Sequence, residues 1–218
     1  MRIVFLGSHT ESKKVLLLSI ARILASAYSV RIYSACRYGY DEDHGDVYDF
    51  CGTEVRQFHN GEQLEQLLQT NPCDYALIDT ELALNAGRDV KLVSLLKAER
   101  SAFEHTVEQT RALLQQYPYT DIHIIYYDIY EYCRVSPGFL EKLYYRRMYD
   151  AVNVTWNHVL YFEEGNAAAF MESLYEEKLH IRRFSPVWKA QVLNILNSLT
   201  GIELKQLKEC LKKAERMK

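Results

Sequence analysis

Glycine and proline are scarce in this sequence, nine and four among 218 residues. So few chain breakers exclude collagen-like, linker-rich and low-complexity architectures. No Pro/Gly/Ser tract divides the chain and no internal repeat runs along it, so one domain over residues 1–218 is expected. Cysteine is sparse and unpatterned. Cys36, Cys51, Cys73, Cys133 and Cys210 are odd in number, far apart and without a C-x-x-C pair, which argues against a disulfide framework or a zinc ribbon and fits a reducing cytoplasm. No window approaches the ~18 apolar residues of a membrane span, and Met1 leads straight into a strand rather than a leader-like segment. Nor is charge one-sided: 26 basic residues face 29 acidic ones, so nucleic acid is not expected as a partner.

What the chain does have is apolar substance, 48% of its residues, arranged as short hydrophobic runs alternating with helical-period segments. That alternation predicts an α/β fold, three layers with a mostly parallel sheet between helices. The expected strands are Ile3 to Leu6, Val30 to Ser34, Asp74 to Thr80, Val90 to Leu96 and Ile122 to Tyr127. An edge hairpin is expected from Val47 to Phe50 and Glu54 to Phe58, and two short strands from Val152 to Val154 and Val159 to Phe162. Helices are expected at Val15 to Ala27, Gly61 to Gln69, Ser101 to Gln116, Phe139 to Met148, Asn166 to Tyr175, Pro186 to Leu199 and Glu203 to Lys218. Ser136-Pro137 is a helix-start signal and Gly201 a stop.

The opening stretch carries the functional signal. A strand runs into a short polar loop, Gly7-Ser8-His9-Thr10-Glu11-Ser12-Lys13-Lys14, and then into the helical run Val15 to Ala27, the layout α/β folds use to hold an anion at a helix N-terminus. Basic residues there oppose the helix dipole, so Lys13 and Lys14 are expected to face an anion or a carboxylate. Asp79 and Thr80 end an apolar strand, where ligands sit in parallel sheets. The histidines beyond the loop, His44, His59, His105, His123, His158 and His180, show no ligand spacing, and no metal site is expected. Asp41, Glu42, Asp43 and Asp46 form an acidic loop, and tyrosines cluster between Tyr117 and Tyr149. The segment 203–218 is an amphipathic basic helix whose apolar side is Leu204, Leu207 and Leu211. That face suits core packing or a partner helix, with weak peripheral membrane contact as the lesser alternative.

Across nearly its whole length the order of these parts resembles the MinD/ParA group of P-loop ATPases, including CpaE-like members that accompany pilus and secretion machines. Ser12-Lys13-Lys14-Val15 followed by Ile20 to Ala25 matches the loop-and-helix signature, and Asp74 to Thr80 the strand ending in Asp-Thr. The resemblance implies a SIMIBI-type P-loop fold, puts Lys13 at the Walker lysine and Asp128 at a base-contact position. It also implies face-to-face association as a homodimer, or as a heterodimer with a related ATPase. The departures are as specific as the matches. Loop glycines fall on His9, Thr10 and Ser12, the additional signature lysine on Ser8, and the magnesium-binding hydroxyl on Lys14. Side chains there obstruct the close backbone approach that phosphates need, and an ammonium cannot ligate a metal. ATP hydrolysis is therefore expected to be lost and no cofactor to be held, with Lys14 expected near Asp79 in place of the ion. Ser8, His9, Thr10, Ser12, Lys13, Lys14, Asp79 and Asp128 would then line a vestigial nucleotide pocket in a protein-binding subunit of a pilus, secretion or envelope-associated assembly. Two alternatives stay open: a divergent ATPase using ATP and Mg²⁺, and a flavodoxin-like binder, since Ser8-His9-Thr10 is similar to a flavodoxin phosphate loop.

Overall fold

The computed structural model describes residues 1–39, 45–84, 90–116, 122–148 and 154–217. Eight strands form one sheet: β1 Arg2–Leu6, β2 Val30–Ser34, β3 Val47–Phe50, β4 Thr53–Gln57, β5 Tyr75–Thr80, β6 Val90–Lys97, β7 Ile122–Ile129 and β8 Val154–Tyr161. Their order across the sheet is β3-β4-β2-β5-β1-β6-β7-β8, parallel throughout except for the β3–β4 hairpin at one edge. The helices are α1 Glu11–Ala25, α2 Gly61–Thr70, α3 Arg100–Gln116, α4 Pro137–Met148, α5 Glu164–Tyr175, α6 Pro186–Thr200 and α7 Leu204–Ala214.

Side-chain alternation along the strands builds the three layers. On β1, Ile3 and Phe5 face a core shared with Leu17, Leu24, Phe170, Val192 and Leu207, from α1, α5, α6 and α7. Val4 and Leu6 face the opposite core with Leu64, Phe103, Leu114 and Leu140, from α2, α3 and α4. Both faces are covered, so the central strands read as continuous apolar runs rather than as alternating ones. This is the three-layer α/β/α architecture expected from the sequence.

Three expectations change in detail. The two short late strands are one, Val154–Tyr161, because all of it pairs with β7 through an irregular register; Val152 and Asn153 lie outside the described residues. The last helix begins at Leu204 and ends at Ala214, and its buried stripe is Leu207, Cys210 and Ala214, with Leu211 partly covered and Leu204 exposed. Asp41, Glu42, Asp43, Tyr117, Tyr119 and Tyr149 lie outside the described residues; Asp46 sits 3.6 Å from His59. No helix among the described residues is long and apolar enough to cross a membrane.

Because α7 packs its apolar stripe on α1 and α6 rather than presenting it outward, Leu207→Ala should lower unfolding free energy by ~2–5 kcal/mol. Urea denaturation followed by circular dichroism measures this, and an effect within ~0.5 kcal/mol would mean that α7 is not part of the core.

Candidate functional site

The site forms where β5 is inserted between β1 and β2. Chain order alone would put β1 and β2 side by side. Instead the carboxyl end of β5 meets the loops that follow both. Gly7 ends β1, and its amide donates to the Thr80 carbonyl at 3.1 Å. A Cβ on Gly7 would stand 2.6 Å from the Leu95 carbonyl oxygen of β6, so only glycine lets the chain turn this tightly over the sheet. Thr10 caps α1, its hydroxyl accepting from the Lys13 amide at 3.2 Å. That cap fixes the first helical turn and directs the Lys13 side chain back beneath the loop.

Lys13 is fully buried, with its ammonium 2.7 Å from the Asp79 carboxylate, itself fully buried. The same nitrogen donates to the carbonyls of Gly7 at 2.6 Å and Thr80 at 3.0 Å. An ammonium has three protons, and all three have partners within the protein. Lys13, not Lys14, therefore takes the place beside Asp79. Lys14 points elsewhere, its ammonium 3.3 Å from Glu11 and 5.9 Å from the centre of the Tyr38 ring. The reason is helical phase: the third helical residue points in toward the loop, and the fourth is rotated by ~100° away from it.

Asp79 gathers further partners. Its second oxygen accepts from the Tyr38 hydroxyl at 2.8 Å and the Ser34 hydroxyl at 3.2 Å, and the Cys36 sulfur lies 3.9 Å away. The His9 ring nitrogen Nδ1 stands 3.5 Å from the first oxygen, a charge contact rather than a well-aligned hydrogen bond. Burial by itself would raise the Asp79 pKa, but the charges of Lys13 and His9 override it and hold the carboxyl well below the usual carboxylate range. Burial likewise opposes a proton on His9, yet the Asp79 carboxylate and Cys36 outweigh it and lift the imidazole to about 9. Burial and the Asp79 carboxylate push the Tyr38 phenol well above its ordinary value, so it donates to the carboxylate at neutral pH.

The loop itself is closed by a second carboxylate. The His9 amide, the kind of backbone donor that cradles a phosphate, donates to Glu81 Oε1. On the other flank the Thr10 hydroxyl lies 3.3 Å from the Tyr127 hydroxyl. Asp128 takes a left-handed φ of 53° where the β7–β8 register slips, and it stands 3.9 Å from Lys97. Burial raises its carboxyl above the ordinary range, opposed by a hydrogen bond from Ser12 and by Lys97.

Of the residues expected from the sequence, His9, Thr10, Lys13 and Asp79 form one connected cluster. Ser8 belongs to the loop above it, Ser12 and Asp128 meet on its rim, and Lys14 lies over the Tyr38 ring with its ammonium toward Glu11. Ser34, Cys36, Tyr38 and Glu81 complete the cluster. The first three follow β2 as the polar run Ser34-Ala35-Cys36-Arg37-Tyr38 at a strand's carboxyl end, which is the signal that could have found them.

No protein-family model and no curated protein sequence matches this chain. Solved structures do. The ATP complex of a Cyanothece McdA variant superposes with a TM-score of 0.59 at 11% identity, covering 93% of this chain and 96% of that one. Apo McdA gives 0.59 at 12% identity over 96% and 98%. A Borrelia burgdorferi B31 protein assigned to plasmid partition, bound to AMPPNP, gives 0.52 at 10% identity over 97% and 98%. The chain thus has the fold of ParA/MinD-type P-loop proteins over essentially its full length.

Because the folded pKa of His9 lies above its ordinary 6.5, its contribution to stability is complete below pH 6.5 and is lost as pH rises through about 9. Urea midpoints should therefore fall between these values, and His9→Gln should flatten that slope. An unchanged slope would show that His9 carries no charge beside Asp79.

Proposed function

We propose that this chain is a ParA/MinD-type fold whose nucleotide pocket has been neutralised from within, and that it acts through protein contacts rather than by turning over ATP. One observation carries the reading: the ammonium at the Walker-lysine position is saturated by Gly7, Thr80 and Asp79 and sealed from solvent. A triphosphate would have to break that set. Opening it would strand Asp79 as an uncompensated buried charge, which costs ~3–5 kcal/mol. The Glu81 carboxylate already accepts from the loop amide and would repel a phosphate brought to the same donor. The residues present do not fit ATP with Mg²⁺, since His9, Thr10 and Ser12 replace the glycines and Lys14 replaces the metal-ligating hydroxyl.

Protein contact is supported by what surrounds the pocket. Beside the start of α1 an apolar groove of about 330 Å³ runs between Glu11 and Ser12 on one side and Phe170, Met171, Leu174 and Tyr175 on the other. Leu82, Tyr130, Tyr132, Met171 and Tyr175 are all more than half exposed, and Tyr132 almost wholly so. Exposed apolar side chains beside a polar pocket mark surfaces that bind other proteins. The CpaE-like resemblance suggests a regulator or docking subunit of a pilus, secretion or envelope-associated assembly, as a homodimer or beside a related ATPase.

Calorimetric titration with ATP and Mg²⁺ should show no binding at micromolar affinity, the equivalent of about 8 kcal/mol. Lys13→Ala should lower stability by ~3–5 kcal/mol while leaving phosphate release at background. Micromolar binding of ATP, or turnover abolished by Lys13→Ala, would overturn the proposal in favour of a divergent ATPase.

A further inference from the structure

The same cluster holds three side chains of a kind that nucleotide pockets do not need. His9 comes from the loop after β1, Cys36 from the loop after β2 and Asp79 from the end of β5, and one ligand atom from each lies within 4.8 Å of the others. A tetrahedral Zn²⁺ with bonds of about 2.0 to 2.3 Å sets its ligand atoms about 3.3 to 3.8 Å apart. Here His9 Nδ1 lies 3.5 Å from Asp79 Oδ1 and the Cys36 sulfur 3.9 Å from Asp79 Oδ2, so the two donors flank the carboxylate at its two oxygens. At up to 4.8 Å the three ligand atoms are spaced somewhat wider than a bound ion sets them, so binding would draw them inward.

A second observation points the same way. His9 Nδ1 is a buried ring nitrogen without a hydrogen bond of normal geometry, and it faces the fully buried Asp79 carboxylate. Buried polar atoms in native proteins are nearly always satisfied, so an unsatisfied ring nitrogen facing a carboxylate and a thiol marks a place for something else.

We propose that His9, Cys36 and Asp79 bind a single zinc-class transition-metal ion, with solvent in the fourth position on the loop side. The donor set selects the metal. Imidazole, thiolate and carboxylate together suit Zn²⁺ or Co²⁺, whereas Mg²⁺ and Ca²⁺ require oxygen ligands throughout. The His9 side chain is about one-fifth exposed, which leaves the ion a route in and a water its place. Lys13 does not block the site. It holds Asp79 Oδ1 while Tyr38 and Ser34 donate to Oδ2, and of the carboxylate's four lone pairs one is left for a metal. It does oppose the dication electrostatically, and the ion must also displace the proton that Asp79 holds on His9, so both limit the affinity at neutral pH.

The inference assumes a pocket free of nucleotide, as proposed above, and its test contains no ATP, so that the two readings fail separately. Purified protein in reductant, stripped of metal by a chelator, is titrated with Co²⁺. The expected result is a one-to-one rise of a near-ultraviolet thiolate-to-cobalt band with visible bands of tetrahedral intensity, all removed by Zn²⁺. Cys36→Ser should abolish the near-ultraviolet band and weaken Zn²⁺ binding by about tenfold or more, while Cys133→Ser, at an exposed thiol, should change neither. Lys13→Met should tighten Zn²⁺ by about tenfold or more, and Zn²⁺ should restore much of the thermal stability that this variant loses, because the dication then compensates Asp79. Absence of the band, its survival in Cys36→Ser, or Zn²⁺ affinity unchanged by Lys13→Met would each overturn the assignment.

Discussion

A lysine and an aspartate sealed together beneath one loop hold the working edge of this molecule in place. Lys13 belongs to the first turn of α1 and Asp79 to the end of β5, 66 positions apart in sequence, yet neither reaches solvent. The ammonium also grips the carbonyls of Gly7 and Thr80, so the ends of β1 and β5 and the start of α1 are tied at one nitrogen. Buried pairs of this kind add little net stability compared with an apolar substitute, because desolvation offsets most of the attraction. What they exact is arrangement: with one partner gone, the other is a bare charge in the core. The loop path, the position of α1 and the orientation of Tyr38 and Ser34 all follow from keeping that charge matched.

Most of the architecture was legible because both cores are written in the strands. Continuous apolar runs such as Tyr75-Ala-Leu-Ile and Ile122-His-Ile-Ile require helices on both faces, and that requirement alone implies parallel strands with crossovers. The edge hairpin was legible from Cys51-Gly52 between two short runs, and both residues indeed take positive φ. The late strand was harder. Trp156, Asn157 and His158 interrupt its apolar pattern because an edge strand needs to satisfy only part of its surface, so one strand looks like two.

The candidate site was legible by half. The loop and the strand-end carboxylate announce themselves locally, through residue type and position in a strand-loop-helix unit. Which lysine faces inward does not. It depends on where the helix begins, and Thr10 as the cap settles it by a single residue. The contribution of Ser34, Cys36 and Tyr38 was hidden for a topological reason: only the insertion of β5 between β1 and β2 brings the loop after β2 against Asp79. Strand order is a long-range property that no local pattern encodes. The fold is shared with the ATP complex of a McdA variant over 93% of this chain.

The central place of β1 has a price in time during synthesis. Its two neighbours, β5 and β6, lie about seventy-five and ninety residues downstream, so this apolar strand leaves the ribosome long before either can pair with it. At a translation rate of about 5–20 residues per second, the interval is on the order of 5–20 seconds, far longer than local helix formation. In that interval α1 is the one partner already made, and the nascent β1–α1 unit exposes Ile3, Val4, Phe5 and Leu6 on both sides. A chain built this way cannot close the centre of its sheet until its sixth strand has emerged.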